Sequence, residues 1–433
     1  MEIAAFSNII ITPFLYIDPG TGSMLFSILI GAAATLFFLG KALLLKLKVF
    51  FSGKKSGVAV DAKYKPYIIY NEGMQYVSTF APVIEEFEKR GIELTYYTSA
   101  KDDPALAARY QFVHAEYIGE GNAAFARLNL LSAGIVLMTT PGLDVYQLKR
   151  SKRVGHYAHV LHAPSDATMY RLFGLDFFDS VLLTGDYQKR DIRALETLRC
   201  IQEKTLVTVG CPYLDVLAQK LAALEEEQNH EFTVLVSPSW GKSAILSKYG
   251  ELLLDELAKT TWKIIVRPHP QSKKSEADLL SQLEARYKDN PRIEWNYERD
   301  NIYCLKRADI MISDFSGIIF DYAFLCGKPI LYANADFDMM PYDAYWLENH
   351  GADIWQFAVL KKIGSALDES QFKNIASVIA NARDSAALAE ERKKAKDEAW
   401  MHRGEAGKRI ADFMLETVAR QNDAAAEQTE LIS

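Results

Sequence analysis

Two histidines stand where chemistry could be done. His162 closes the apolar run Val154 to Leu161 and is followed by Ala163-Pro164-Ser165-Asp166, so a proline just behind it stiffens the chain at a sheet edge. An imidazole titrates near neutrality, and one so presented can serve as a general base. His269 lies in Arg267-Pro268-His269-Pro270, directly after the apolar run Trp262 to Val266. Two prolines lock the backbone on either side of it, and Arg267 with His269 offers donors to phosphate oxygens. A third loop, Ser237-Pro238-Ser239-Trp240-Gly241-Lys242, brings hydroxyls, a tryptophan for stacking and a lysine. The fourth is Ser313-Asp314-Phe315-Ser316-Gly317, which opens the helix expected over Ile318 to Cys326. Ser313, Asp314 and Ser316 are N-cap residue types, Gly317 lets a ligand approach the backbone, and a helix N-terminus favours phosphate. Each loop also has a plain structural reading: a satisfied histidine, a proline-rich turn, a capped helix.

No other catalytic pattern competes. There is no Walker A motif, no G-x-G-x-x-G after a strand, no G-x-S-x-G and no Cys/His metal cluster; the Asp336-Phe337-Asp338 pair is a weak signal. The donors are those of a pyrophosphate site held by side chains and helix dipoles, with no metal or other cofactor required. A net charge of -7 argues against general nucleic-acid binding, which needs a basic footprint. The four cysteines form no CxxC pair and read as reduced packing residues of a cytoplasmic compartment.

The elements that must position these loops follow a βαβ rhythm. Strands are expected at Tyr67 to Tyr70, Ile92 to Tyr97, Val113 to Ile118, Ile135 to Thr139, Val154 to Leu161, Ser180 to Thr184 and Thr205 to Val209. Helices fall between them, at Tyr76 to Arg90, Pro104 to Tyr110, Ala123 to Leu131 and Lys189 to Leu198. After the charged helical stretch Leu214 to His230, a second series begins. It has strands at Thr233 to Val236, Trp262 to Val266, Ile293 to Trp295, Ala308 to Ile312 and Ile330 to Tyr332. Such alternation means parallel sheets with helices on both faces, and ligands bind at the C-terminal ends of the strands. Two Rossmann-like units in 433 residues predict two facing domains with a cleft between them. From about Ser370 the chain reads as helical and charged, with a frayed tail from about Asn422.

One segment reads as a membrane span. Pro19 to Gly40 carries no charge, Ser23 to Leu39 is almost wholly apolar or small, and Lys41, Lys46, Lys48, Lys54 and Lys55 follow it. A helix there covers about 30 Å, the hydrocarbon thickness. The lysines place the C-terminal bulk in the cytoplasm. The expectation is a single-pass protein of the inner membrane, with a linker from Ser52 to Lys65.

From about His162 to Arg409 the chain resembles the CDP-glycerol:poly(glycerophosphate) glycerophosphotransferase family of teichoic-acid primases and polymerases. The resemblance rests on Pro238-Ser239-Trp240, Arg267-Pro268-His269-Pro270, Ser313-Asp314-Phe315-Ser316 with Phe320-Asp321-Tyr322, and Gly327-Lys328-Pro329-Ile330. Gly210-x-Pro212-x-x-Asp215 and Gly404-x-x-Gly407 also fit, while Ala163, Gly241 and Tyr213 depart from the usual pattern. The resemblance implies an α/β, GT-B-like fold. Together with the apolar N-terminal segment and the two βαβ series, it divides the chain into a membrane anchor and basic linker (1–57), an N-terminal acceptor domain (58–228), a C-terminal donor-nucleotide domain (229–385) and C-terminal helices (386–433). It implies transfer of an alcohol phosphate, above all glycerol phosphate, from a CDP-alcohol to a lipid-linked or polymeric membrane acceptor, with release of CMP. His162 and His269 fall on the family's catalytic histidines. Substrate binding falls on Ser239, Trp240, Lys242, Arg267, Ser313, Asp314, Ser316, Gly317 and Asp321. The rival expectations are a GT-B glycosyltransferase or sugar-nucleotide epimerase using a UDP-sugar, and a binding or scaffold module without activity.

Overall fold

A computed structural model describes residue 40 and residues 63–433, apart from 226–229, 299, 334–336 and 433. The chain divides into two compact units, 1–60 and 61–433. The expected span at Ser23 to Leu39 and its lysines lie outside the described residues, and no described helix is long and apolar enough to cross a membrane.

The second unit holds two wholly parallel sheets. The first has seven strands: β1 (Lys65–Asn71), β2 (Leu94–Thr98), β3 (Val113–Tyr117), β4 (Ser132–Met138), β5 (Arg153–Val160), β6 (Ser180–Leu183) and β7 (Thr205–Thr208). They are ordered β3-β2-β1-β4-β5-β6-β7. The second has six: β8 (Thr233–Val236), β9 (Lys263–Val266), β10 (Ile293–Trp295), β11 (Ile310–Ser313), β12 (Ile330–Ala333) and β13 (Ser365–Leu367), ordered β10-β9-β8-β11-β12-β13. Strands covered on both faces read as continuous Val, Ile and Leu runs, and β6, β8 and β11 are buried at every position. Two apolar clusters sandwich each sheet.

Strand order reverses between β1 and β4 in one lobe and between β8 and β11 in the other. These are the switch points where an open α/β sheet leaves a crevice for ligand. The loops after β8, β9 and β11 leave one sheet edge side by side. Thr139 and His162 leave the other sheet from the paired neighbours β4 and β5.

Several contacts join the lobes, three of them through Asp166, Tyr187 and Tyr213. The carboxylate of Asp166 accepts from the Gln356 N–H at 2.6 Å. The ring of Tyr187 lies 4.2 Å from that of Trp355. The Tyr213 hydroxyl donates to Asp321 at 2.9 Å. The last helix, Ala406–Ile432, returns to the first lobe: Ile410, Phe413, Met414 and Val418 pack with Ile69, Phe80 and Leu137, and Arg90 pairs with Asp412 at 2.6 Å.

Some local expectations are corrected. The helix expected over Pro104 to Tyr110 is a single 3-10 turn, Pro104–Leu106, in which Asp103 accepts from the Ala105 N–H. The strand expected from Ala308 starts at Ile310 and runs through Ser313. β13 has no counterpart in the sequence reading; it is a three-residue strand with a single buried side chain, too short to show periodicity. The tail expected to fray from Asn422 stays helical to Ile432, consistent with its alanine- and glutamate-rich composition.

Candidate active site

In the second lobe two side chains of the β11 loop, Asp314 and Ser313, tie it to the β8 loop. Asp314 is buried, and its two oxygens accept from the N–H groups of Ser239 at 2.9 Å and Ile245 at 3.0 Å. It thereby fixes the β8 loop and the N-terminus of the helix Ile245–Ala258. The Ser313 hydroxyl donates to the Ser237 carbonyl at 2.5 Å. Gly241 takes the left-handed conformation at φ 97°, and its N–H donates to Glu276. Arg267 spends one Nη on Asn296 and the other on the Glu298 carbonyl at 2.8 Å, so its planar fork ties β9 to the chain after β10. Asp321 is buried against Tyr213 and Asn301, and burial holds its carboxyl well above the usual range, at about 7. Four residues that the sequence offers as ligand donors thus bond to protein groups.

What remains free forms a coherent set. Trp240 is 49% exposed, and its ring lies 6.4 Å from that of His269. His269 accepts the Gln271 N–H at Nδ1, at 3.1 Å, so the neutral ring carries its proton on Nε2 and presents a donor. Burial holds its pKa below the ordinary value, with Asp314 and Glu276 pulling it back up. The Ser239 hydroxyl is buried without a partner, and an orphaned buried hydroxyl beside an open loop is uncommon. Lys242 is exposed.

The helix Ile318–Cys326 is capped by Gly317 itself, with no side-chain cap bond; Ser316, expected as a cap residue, does not fill that role. The Ser316 carbonyl accepts from the Ile319 N–H at 3.2 Å, while its hydroxyl makes no hydrogen bond with any described residue. A Cβ built on Gly317 would meet nothing within 4 Å. A bare helix N-terminus facing open space, with a spare hydroxyl beside it, suits a phosphate.

In the first lobe His162 is half-buried. Its Nδ1 lies 3.0 Å from the Thr139 hydroxyl and 3.4 Å from that of Tyr170, and the Tyr76 ring meets it edge-on at 4.9 Å. Nε2 is the ring nitrogen left without a protein partner. Burial pushes the pKa of His162 down to about 4, so the ring is neutral at physiological pH. His159, fully buried, reaches the same tyrosine hydroxyl through Nε2 at 3.0 Å, while its Nδ1 has no partner. The structure therefore gathers Ser239, Trp240, His269, Ser316 and Gly317 on one sheet edge and places His162 on the edge of the other. Thr139, Tyr170 and Tyr76 were missed by the sequence reading. Only Thr139 gave a signal, as the end of a strand adjacent to that of His162. No group of three or more His, Cys, Asp or Glu among the described residues is arranged to hold a metal ion.

Comparisons with known proteins bear on the fold and on the second lobe's family likeness. The chain matches solved structures across most of its length. The wall teichoic acid polymerase TagF, in a crystal soaked with CDPG, is 14% identical with a TM-score of 0.54, covering 90% of this chain and 98% of that one. The UDP-GlcNAc 2-epimerase of Methanocaldococcus jannaschii, in complex with UDP-GlcNAc and UDP, is 14% identical with a TM-score of 0.52, over 82% and 100%. The S. aureus MnaA–UDP structure is 13% identical with a TM-score of 0.53, over 80% and 95%. At such identities the likeness shows the fold, which is GT-B-like. No curated protein sequence matches the chain. The model of the CDP-glycerol:poly(glycerophosphate) glycerophosphotransferase family matches residues 182–345, a stretch that contains the three loops of the second lobe. Residues 182–345 are thus similar to that family, and the match supports a glycerophosphotransferase-like enzyme.

Proposed function

We propose that this enzyme transfers glycerol phosphate, or a related alcohol phosphate, from a CDP-alcohol to a membrane-associated acceptor in surface glycopolymer synthesis. The observation that carries the reading is the bare, open helix N-terminus at Gly317 beside the free Ser316 hydroxyl and the donor face of His269. A pyrophosphate fits there with the nucleobase toward exposed Trp240.

An acceptor hydroxyl attacks the phosphorus that bears the glycerol. The bond from that phosphorus to the bridging oxygen breaks, and CMP leaves with the electron pair. The hydroxyl proton passes to Nε2 of His162, which burial keeps neutral and able to receive it. Negative charge on the phosphoryl oxygens is met by His269, by Ser316 and by the helix N-terminus, so positioned donors supply most of the stabilisation. On this reading the cleft lies between the two switch points, and the basic segment after Ser23 to Leu39 holds the lobes at the inner face of the membrane.

The test is release of CMP from CDP-glycerol by the purified full chain with membrane lipids, with mass spectrometry of the product. Release of UMP or UDP from a UDP-sugar, with CDP-glycerol left intact, would instead identify a nucleotide-sugar enzyme on the same fold. Removal of residues 1–57 should free the protein from membranes. Sedimentation with membranes in high salt after that removal would place the anchor elsewhere.

A further inference from the structure

We infer that Tyr170 is a positioning residue for His162, and that Asp343, contributed by the other lobe, holds Tyr170 in place. The inference rests on the reading that His162 takes part in transfer. A histidine that works through Nε2 must have its ring orientation and its proton at Nδ1 fixed from behind. Here the groups behind it are the hydroxyls of Thr139 and Tyr170. Thr139 is held by its strand end. Tyr170 is not, because it opens the irregular stretch that leads to β6.

What fixes Tyr170 comes partly from its own lobe. Its ring stands edge-on to His159 at 5.1 Å, and its hydroxyl bridges His159 and His162. The rest comes from the segment after β12. The N–H of Asp343 donates to the Tyr170 carbonyl at 2.9 Å, and Tyr342 forms an isolated bridge with Arg171. The Asp343 carboxylate accepts from the N–H groups of Phe173 at 2.7 Å and Gly174 at 3.2 Å. It also pairs with Arg199 at 2.6 Å, and Arg199 in turn pairs with Asp176 at 2.6 Å. Asp343, Arg199 and Asp176 are all largely buried, so the arrangement is over-determined and stiff. A residue of the nucleotide lobe therefore sets the backbone of the loop whose tyrosine touches the histidine of the acceptor lobe. His162 is oriented only when the two lobes are docked.

The experiment is a cycle of Tyr170→Phe, Asp343→Asn and the double variant in the full chain. Each is read by kcat, by KM for CDP-glycerol, and by histidine 15N spectra recorded without substrate, with the His162 signals assigned by their loss in His162→Gln. Tyr170→Phe removes one oxygen and keeps the ring on His159. It should lower kcat about tenfold and leave KM within twofold. Asp343→Asn keeps the backbone donor to Tyr170 and weakens the grip on Arg199; it should lower kcat several-fold. If Asp343 acts through Tyr170, the double variant is no worse than Tyr170→Phe alone, whereas independent structural damage would multiply. Both single variants should change the His162 tautomer pattern in the same direction. Multiplying losses, or an unaltered His162 spectrum in Tyr170→Phe, overturn the inference. A wild-type chain that releases no CMP would sink the proposed function, and the spectra would still decide this one.

Discussion

The two lobes build their halves of the site from opposite materials. In the second lobe the polar side chains are mostly taken up by protein groups: Asp314 by two backbone N–H groups, Ser313 by the Ser237 carbonyl, Arg267 by Asn296 and the Glu298 carbonyl. What they leave open is a backbone helix end and a few free donors. In the first lobe one imidazole is packed among Tyr76, Thr139 and Tyr170 with a single nitrogen unclaimed. The first arrangement can hold charge by geometry, with little dependence on any one side chain. The second stakes everything on one ring. Removing a residue should therefore do different damage on the two sides.

The largest effect should come from His162→Ala, which removes the proton acceptor. Loss of a positioned general base costs roughly 10²–10⁴-fold in kcat, with donor affinity by calorimetry unchanged. His269→Ala should lower both kcat and donor affinity, because its Nε2–H meets the phosphate in the ground state as well. If both variants show the same split, the two lobes do not divide the work as described. Next comes Asp314→Ala. It removes two charge-assisted bonds worth roughly 1.5–3 kcal/mol each and strands two buried N–H groups. Stability should fall sharply, by denaturant titration, and donor binding should fall with it as the β8 loop is released. A variant as stable as the parent would show that Asp314 is not the strut.

Ser316→Ala should do less. Its hydroxyl caps nothing, so the melting temperature should not move. Loss of one bond to a phosphate oxygen weakens CDP-glycerol binding by about ten- to a hundredfold, or roughly 1.5–3 kcal/mol. Unchanged affinity would remove the hydroxyl from the donor site and leave the helix end alone there.

The same contrast explains what a single sequence could and could not show. The inner strands were legible because β6, β8, β9 and β11 are short runs dominated by Ile, Val and Leu. The run Thr233 to Val236 and the helix Ile318 to Cys326 were placed with the observed bounds. The loops were legible as loops, since Pro, Gly and Ser punctuate strand ends. The partners of their side chains were not. Asp314 and Arg267 have the residue types of ligand donors, and only the packed neighbours show their bonds turned inward. Tyr170 gave no signal at all. Its hydroxyl reaches His162 because the loop is folded back by Asp343, 173 positions along the chain, and no local periodicity encodes such a contact.

The smallest effect at neutral pH, and the sharpest test of the first lobe, is in pH dependence. Burial alone holds the pKa of His162 at about 4, against an ordinary value near 6.5. The folded state therefore favours the neutral ring. That contribution to stability is complete above about 6.5 and is lost as pH falls through the window down to about 4. Asp321 and Asp166 run the other way. Burial raises each carboxyl to about 7, so their contribution is complete below the ordinary carboxylate range and is lost as pH rises through 7. Activity should follow the histidine. The rate should hold level as pH drops from 7 to about 5, and the acidic limb should appear only on the approach to 4. His162→Gln should lessen the fall in stability between 6.5 and 4, with the share of buried His159, held at about 3, remaining, while leaving the carboxylate-driven change near 7 in place. A limb near 6.5 in the parent would mean that water reaches the ring freely, and the packed, single-nitrogen picture of His162 would have to be abandoned for an open one.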